Sequence, residues 1–237
     1  MKKHGYDVAK QAANWLGDAG ETGSPPADPL LKDLDALFAV APGEARVEQV
    51  LANLQARMRQ EHPVLYYDEL TSSPVGPISV ALSEAGLVAV EFGQAETEFL
   101  KHLQRSHRAV TVRSPERVAL VLRQLAEYFA GGRQSFDIPV DLSHSTRFQQ
   151  QVLRAAARVP RGGLATYAEI ARHIGKPRAS RAVGQALARN PVPIVIPCHR
   201  VVAADGALRG YSGRGGIRTK AQLLVLEGVS TYRTALS

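Results

Sequence analysis

The chain has 237 residues, 45% of them hydrophobic and 22% charged, and it contains one cysteine. That length and apolar fraction suit one large or two small globular domains. A single cysteine excludes an internal disulfide and every zinc site that needs two or more thiolates. No metal and no cofactor are expected. No stretch approaches the ~18 apolar residues that span a bilayer, and the N-terminus leads into no apolar signal-peptide core. The expectation is a cytoplasmic protein without membrane attachment. Charge is unevenly divided: residues 1–140 carry 14 Lys and Arg against 18 Asp and Glu, whereas residues 141–237 carry 15 against 4. Thirteen of those 15 cations are Arg, whose planar forks suit phosphate oxygens, so the second part suits a polyanion such as nucleic acid, and charge alone fits a solvated basic surface equally well.

Residues 1–63 predict a helical extension. A Gly-, Ser- and Pro-rich stretch at 17–27 precedes Asp28-Pro29, an N-cap and first helical position. Leu30, Leu31, Leu34, Leu37 and Phe38 then share one face, and Val47, Val50, Leu51, Leu54 and Met58 form a second amphipathic pattern. The extension either packs on the rest of the chain or serves a protein partner.

Residues 64–140 read as a small α/β domain. Val64 to Leu70, Ile78 to Leu82 and Leu87 to Phe92 are β-prone, with Ser83-Glu84-Ala85-Gly86 as a hairpin turn. Helical patterns follow near 95–107 and 116–130, the second stopped by Gly131-Gly132. Nothing here has catalytic spacing, and the segment reads as scaffold.

Residues 141–237 hold the specific chemistry. Thr146-Arg147-Phe148-Gln149 and Thr166-Tyr167-Ala168-Glu169 each fit a capping box. Two short helices, the first opened by Tyr167 and the second running from about Ala179 to Arg189, flank the Gly175 turn as a helix-turn-helix. The second is built from Ala179, Ser180, Ala182, Gly184, Ala186 and Ala188, with Arg178, Arg181 and Arg189 among them. So slim a helix suits either close helix packing or approach to a narrow groove. Ile194-Val195-Ile196 predicts a buried strand leading to Pro197-Cys198-His199-Arg200. A cysteine followed by His and Arg has neighbours that favour the nucleophilic thiolate. Glu227, closing the last apolar helix (Ile217, Ala221, Leu224, Val225), is placed to orient an imidazole.

The run from Asn190 through Pro193 and Ile196 to Cys198-His199-Arg200-Val201-Val202 resembles the active-site motif of the O6-alkylguanine-DNA alkyltransferases. Thr166-Tyr167, Arg178-Ala-Ser-Arg181-Ala-Val-Gly184, Tyr211-Ser212-Gly213 and Glu227 match in order, and Ser73 to Ile78 adds a weaker likeness. The resemblance implies a ribonuclease-H-like α/β domain followed by a helical, winged-helix or helix-turn-helix-like alkyltransferase domain. It also implies direct reversal of DNA damage, with O6-alkylguanine or O4-alkylthymine flipped from duplex DNA and its alkyl group moved irreversibly to Cys198. His199 would act as base through a water, Glu227 would fix its tautomer, Asn190 would brace the turn, and Tyr167 would donate a proton to the leaving purine. Arg181 would fill the gap left by the flipped base. Arg178, Ala182, Gly184 and Gln185 would lie along the minor groove of the duplex, bound by a monomer. Pro193, Tyr211, Ser212 and Gly213 would form the base pocket, whose loop holds an extra residue, Arg214. The competing expectations are a helix-turn-helix protein that flags or senses alkylated DNA without repair, a regulator with an inert buried cysteine, and a thiol hydrolase using Cys198, His199 and Glu227.

Overall fold

Three β-prone runs make an antiparallel meander: β1 (Val64–Leu70), where burial alternates at the start, and β2 (Ile78–Ser83) and β3 (Gly86–Phe92), which are buried along most of their length. The computed structural model describes residues 62–211, 213 and 215–232. The two helical patterns expected in residues 1–61, together with Ser212 and Arg214, lie outside the described residues. After β3 come α1 (Glu96–His107), β4 (Val110–Arg113) and α2 (Pro115–Phe129). The sheet order is β3-β2-β1-β4, with β4 parallel to β1. The sequence reading missed β4 because its four residues are only partly buried and carry too short an alternation to stand out. The sheet is covered on both faces. Phe99 and Leu103 of α1 pack on Leu65, Tyr67 and Ala89, while Val118, Val121, Leu125 and Tyr128 of α2 pack on Val80, Leu87, Val90 and Phe92.

That second cluster runs without a break into the helical part of the chain. There α3 (Arg147–Ala156) is followed by β5 (Ala165–Thr166), α4 (Tyr167–His173), α5 (Ser180–Ala188), a 3-10 turn (Cys198–Arg200), β6 (Val201–Val202) and α6 (Ile217–Leu226). The Thr166 capping box is complete: Glu169 N–H donates to Thr166 Oγ1 at 3.1 Å, and Thr166 N–H donates to Glu169 Oε2 at 2.6 Å. At Thr146 only half of the expected box forms. Its hydroxyl accepts from Gln149 N–H at 3.2 Å, but the Gln149 amide instead donates to the Arg189 carbonyl at 2.7 Å and ties α3 to the end of α5.

Two expectations are corrected. Ile194-Val195-Ile196 is buried for the most part but is a turn, not a strand, and Ile194 has φ +73°. Pro193 and Pro197 remove ladder donors on either side, and the Asn190 side chain takes the polar groups a strand partner would have taken. Ile217 is 48% exposed, so the buried face of α6 is Lys220, Ala221, Leu223 and Leu224.

Sheet and helical parts are joined by backbone. Leu87 N–H donates to the Pro139 carbonyl at 2.8 Å, and Asp141 N–H donates to the Leu87 carbonyl at 2.9 Å. Gly86 lets the connecting strand approach this closely: its φ is +143°, and a Cβ there would lie 2.7 Å from the Pro139 carbonyl carbon. Gly86→Ala is therefore expected to lower stability by about 2–4 kcal/mol, read as a shift in the urea midpoint, because both the φ value and the clash involve backbone that cannot rotate away.

Candidate active site

The turn between α5 and the 3-10 segment is held from inside by one side chain. Asn190 is buried, its Nδ2 donates to the Ile196 carbonyl at 2.8 Å, and its Oδ1 accepts from Val192 N–H at 3.1 Å. Ile196 N–H closes the same turn on the Val192 carbonyl at 2.9 Å, and Val90 N–H of β3 reaches the Pro191 carbonyl at 2.8 Å. These bonds hold Ile194, a β-branched residue, in the left-handed region, at a cost of roughly 1–3 kcal/mol. Immediately after it the chain places Cys198, which is 5% exposed.

Next to Cys198 stands a buried ion cluster. His199 is fully buried, and its Nε2 lies 2.9 Å from Glu227 Oε1. Arg200 donates to both oxygens of the same carboxylate, Nε to Oε2 and Nη2 to Oε1, each at 2.8 Å, and its Nη1 donates to the Val159 carbonyl at 2.5 Å. A fourth hydrogen bond comes from the sheet part of the chain, where Tyr128 Oη donates to Glu227 Oε1 at 2.7 Å. Burial would raise the Glu227 pKa, but hydrogen bonds and charge from His199 and Arg200 win and hold it well below the usual carboxylate range. The carboxylate is thus ionised and can only accept, so His199 Nε2 carries the proton and Nδ1 is the basic ring nitrogen. Nδ1 is buried without a hydrogen-bond partner among the described residues. Burial, reinforced by Arg200 and Lys220, holds the His199 pKa below its ordinary value despite the Glu227 contact, so the ring is neutral at pH 7.

Three groups sense charge on Cys198: Tyr167, Tyr211 and Lys220. Tyr167, the first residue of α4, donates to the Arg209 carbonyl at 3.1 Å. Its pKa is raised by burial and then by Cys198, so the phenol keeps its proton. The Tyr211 hydroxyl is buried without a hydrogen-bond partner among the described residues, and its ring packs on Phe92 at a centroid distance of 6.3 Å. Gly213 closes over both rings; a Cβ there would lie 2.5 Å from Tyr211 and 2.8 Å from Phe92. Pro193 belongs to the buried turn. Lys220 was missed by the sequence reading. It is 1% exposed, its Nζ donates to the carbonyls of Val201 at 2.6 Å and Arg209 at 3.3 Å, and burial lowers its pKa to about 8 while Cys198 opposes that shift. The signal was present: Lys220, Leu223, Leu224 and Glu227 recur at i, i+3, i+4 and i+7 and share the buried face. Tyr128 was missed as well, because its segment was read as scaffold.

On α5 the structure leaves Arg181 and Gln185 exposed, with Arg178 exposed just before the helix and Ala182 and Gly184 half-buried. A Cβ added at Gly184 would lie 3.8 Å from the Tyr167 ring, so α4 and α5 run side by side at the site. A groove of about 560 Å³ lies behind the 194–197 turn, touching Arg200 but not Cys198, and it is distinct from this chemistry.

A thiol next in sequence to a neutral imidazole with a fixed tautomer, with an ionised carboxylate, a buried ammonium and a slim Arg-bearing helix close by, has the groups that nucleophilic-thiol chemistry needs. Comparison with known proteins narrows the class. Residues 147–229 match the 6-O-methylguanine DNA methyltransferase DNA binding domain, and residues 65–142 match the ribonuclease-like domain of the same family. The methylated-DNA–protein-cysteine methyltransferase of Methanosarcina acetivorans is 42% identical over 164 residues, which are 69% of this chain and 99% of the relative. The constitutive enzyme of the same name from Bacillus subtilis is 37% identical, over 69% of this chain and 96% of its own length. Among solved structures, the Mycobacterium tuberculosis O6-methylguanine methyltransferase superposes with a TM-score of 0.59 at 37% identity, over 70% of this chain and 93% of that one. The same organism's OGT in complex with DNA gives a TM-score of 0.59 at 34% identity, over 73% and 99%. The chain belongs to the 6-O-methylguanine DNA methyltransferase family.

The buried cluster sets the acid response of the fold. The Glu227 pKa is lowered in the folded state, so the stability it contributes is complete above its ordinary value of 4.5 and is lost as pH falls below that. His199 is also held below its ordinary 6.5, so protonation of the unfolded chain erodes stability from there downward. Glu227→Gln should cost about 3 kcal/mol at pH 7, since the buried Arg200 loses its counter-charge. Urea titrations should show the gap to wild type narrowing below pH 4.5.

Proposed function

We propose that this chain repairs alkylated DNA by direct reversal, moving the alkyl group from O6 of guanine, or O4 of thymine, to Cys198 Sγ in a single turnover. The observation that carries this reading is Cys198 held by the Asn190-braced turn next to a His199–Glu227 pair whose tautomer is fixed. The Cys198 proton passes through a water to His199 Nδ1, and Glu227 stabilises the resulting imidazolium. Lys220, buried nearby, opposes the negative charge on sulfur. Sγ attacks the alkyl carbon as the carbon–oxygen bond breaks, and the electron pair leaves with the purine, which takes a proton from Tyr167. The product thioether resists hydrolysis, so the protein acts once as a methylated-DNA–protein-cysteine methyltransferase.

An alkyl carbon inside stacked DNA is out of reach, so the nucleotide leaves the stack at a cost of a few kcal/mol. Arg181 is assigned to the gap it leaves, which recovers part of that cost. Arg178, Ala182, Gly184 and Gln185 are assigned to the minor-groove contact, where small side chains permit close approach. Pro193, Tyr211, Ser212 and Gly213 are assigned to the base pocket; the buried Tyr211 hydroxyl supports that assignment. We further read residues 64–140 and 141–237 as two domains. The mixed order β3-β2-β1-β4 supports a ribonuclease-H-like first domain, and the α4–turn–α5 unit with β5 paired to β6 supports a winged-helix-like second one. The protein is read as a cytoplasmic monomer on duplex DNA, with residues 1–63 available to a protein partner.

Incubation with duplex DNA carrying O6-methylguanine should add ~14 Da to the intact chain, the mass of a methyl group replacing the thiol proton, and Cys198→Ser should abolish the gain. A chain that binds the lesion without gaining mass is a sensor and overturns the repair reading. Arg181→Ala should slow transfer from duplex DNA more than about tenfold while leaving reaction with free O6-benzylguanine nearly unchanged. Equal losses on both substrates would remove Arg181 from the role assigned to it.

A further inference from the structure

The hydrogen bond to Glu227 from the far side of the chain is unaccounted for by the chemistry so far. Tyr128 lies at the end of α2, 99 residues before Glu227, and is fully buried. Its position is over-determined. Phe129 and Phe136 pack on its ring at 5.2 and 5.6 Å, and the Arg161 guanidinium covers its face at 4.9 Å. Arg161 also donates to the carbonyl of Tyr128 itself at 3.3 Å and to that of Leu226, next to Glu227, at 3.2 Å. One side chain thereby fixes the backbone on both sides of the Tyr128–Glu227 contact.

The hydroxyl donates to Oε1, the same oxygen that receives His199 Nε2 and Arg200 Nη2. Three donors on one oxygen share its lone-pair density, so each weakens the acceptor seen by the others. We propose that Tyr128 is a positioning residue for alkyl transfer, contributed by the sheet part of the chain, which limits the basicity of Glu227 toward His199 and so keeps His199 neutral until the thiol proton arrives. This rests on the reading of Cys198 as alkyl acceptor given above. Without the phenol, Oε1 becomes a stronger acceptor, the imidazolium is stabilised, and His199 is protonated at higher pH. The charged and titratable groups facing His199 are Glu227, Arg200 and Lys220, with Cys198 next to it in the chain; those facing Glu227 are His199, Arg200, Tyr128 and Tyr211.

The test is the pH profile of the second-order rate of methyl transfer in the full-length chain. Tyr128→Phe removes one oxygen and leaves the ring packing in place. Its acid limb, which belongs to the coupled Cys198–His199 pair, should move up by roughly half a pH unit, making transfer about threefold slower on that limb, with the plateau within about twofold of wild type. Tyr67→Phe is the control, since it removes a buried hydroxyl that donates to Glu96 at 2.9 Å in the other core cluster; its profile should match wild type. An unmoved limb in Tyr128→Phe, or one moved to lower pH, overturns the proposal even if melting temperature falls, because a lower melting temperature alone is what a purely structural role of the hydroxyl would give. If the wild-type chain gains no methyl group, the underlying reading fails instead, and the two failures are distinguished by that first measurement.

Discussion

The buried carboxylate of Glu227 is the constraint on which the remainder of the structure depends. An ionised group with no exposed side-chain surface loses several kcal/mol of hydration, and only dense hydrogen bonding offsets that. Four donor groups supply it, and they come from two separate stretches of chain, Tyr128 from α2 and His199 and Arg200 from the 3-10 turn, meeting Glu227 at the end of α6. The bond from Tyr128 exists only once the sheet and helical parts have packed together, so the hydrogen bonding around the His199–Glu227 pair draws on both parts of the fold. This also explains why Arg200 turns inward in a stretch of chain otherwise rich in outward-facing arginines.

A second constraint is local. The Asn190 turn carries a left-handed Ile194, which persists because neighbouring bonds fix it from several sides. The same Asn190 follows directly on α5, whose last carbonyls accept from Arg189 and Asn190 N–H. Helix α5 and Cys198 are thus separated by a stiff turn, with no flexible linker between them. A displacement of α5 would be felt at Cys198, and β3 steadies the arrangement through the Val90–Pro191 bond.

Much of this was legible in the sequence wherever the determinant is local. β-branched and aromatic runs marked β1 to β3 almost to the residue, Thr166 and Glu169 marked the start of α4, and Asn190, Cys198, His199 and Glu227 were recognisable by motif. What escaped depends on tertiary context. Ile194 to Ile196 has the β-branching of a strand, yet a side-chain amide and two prolines turn it back on itself. Lys220 looks like an ordinary helix cation until its spacing to Leu223, Leu224 and Glu227 is weighed. Tyr128 sits in an amphipathic helix as any core tyrosine would; only the long-range packing shows that its hydroxyl ends on a carboxylate 99 residues away.

The same packing changes how the basic composition of residues 141–237 should be understood. Arg200 and Lys220 are buried and spend their donors on Glu227 and on backbone carbonyls, and Arg161 is engaged with the carbonyls of Tyr128, Arg133 and Leu226. These three cations build the site. The exposed ones along and beside α5 are Arg178, Arg181 and Arg189. A net charge read from sequence therefore overstates the basic surface, because part of that charge is already committed to holding one carboxylate ionised and to pinning the backbone around it.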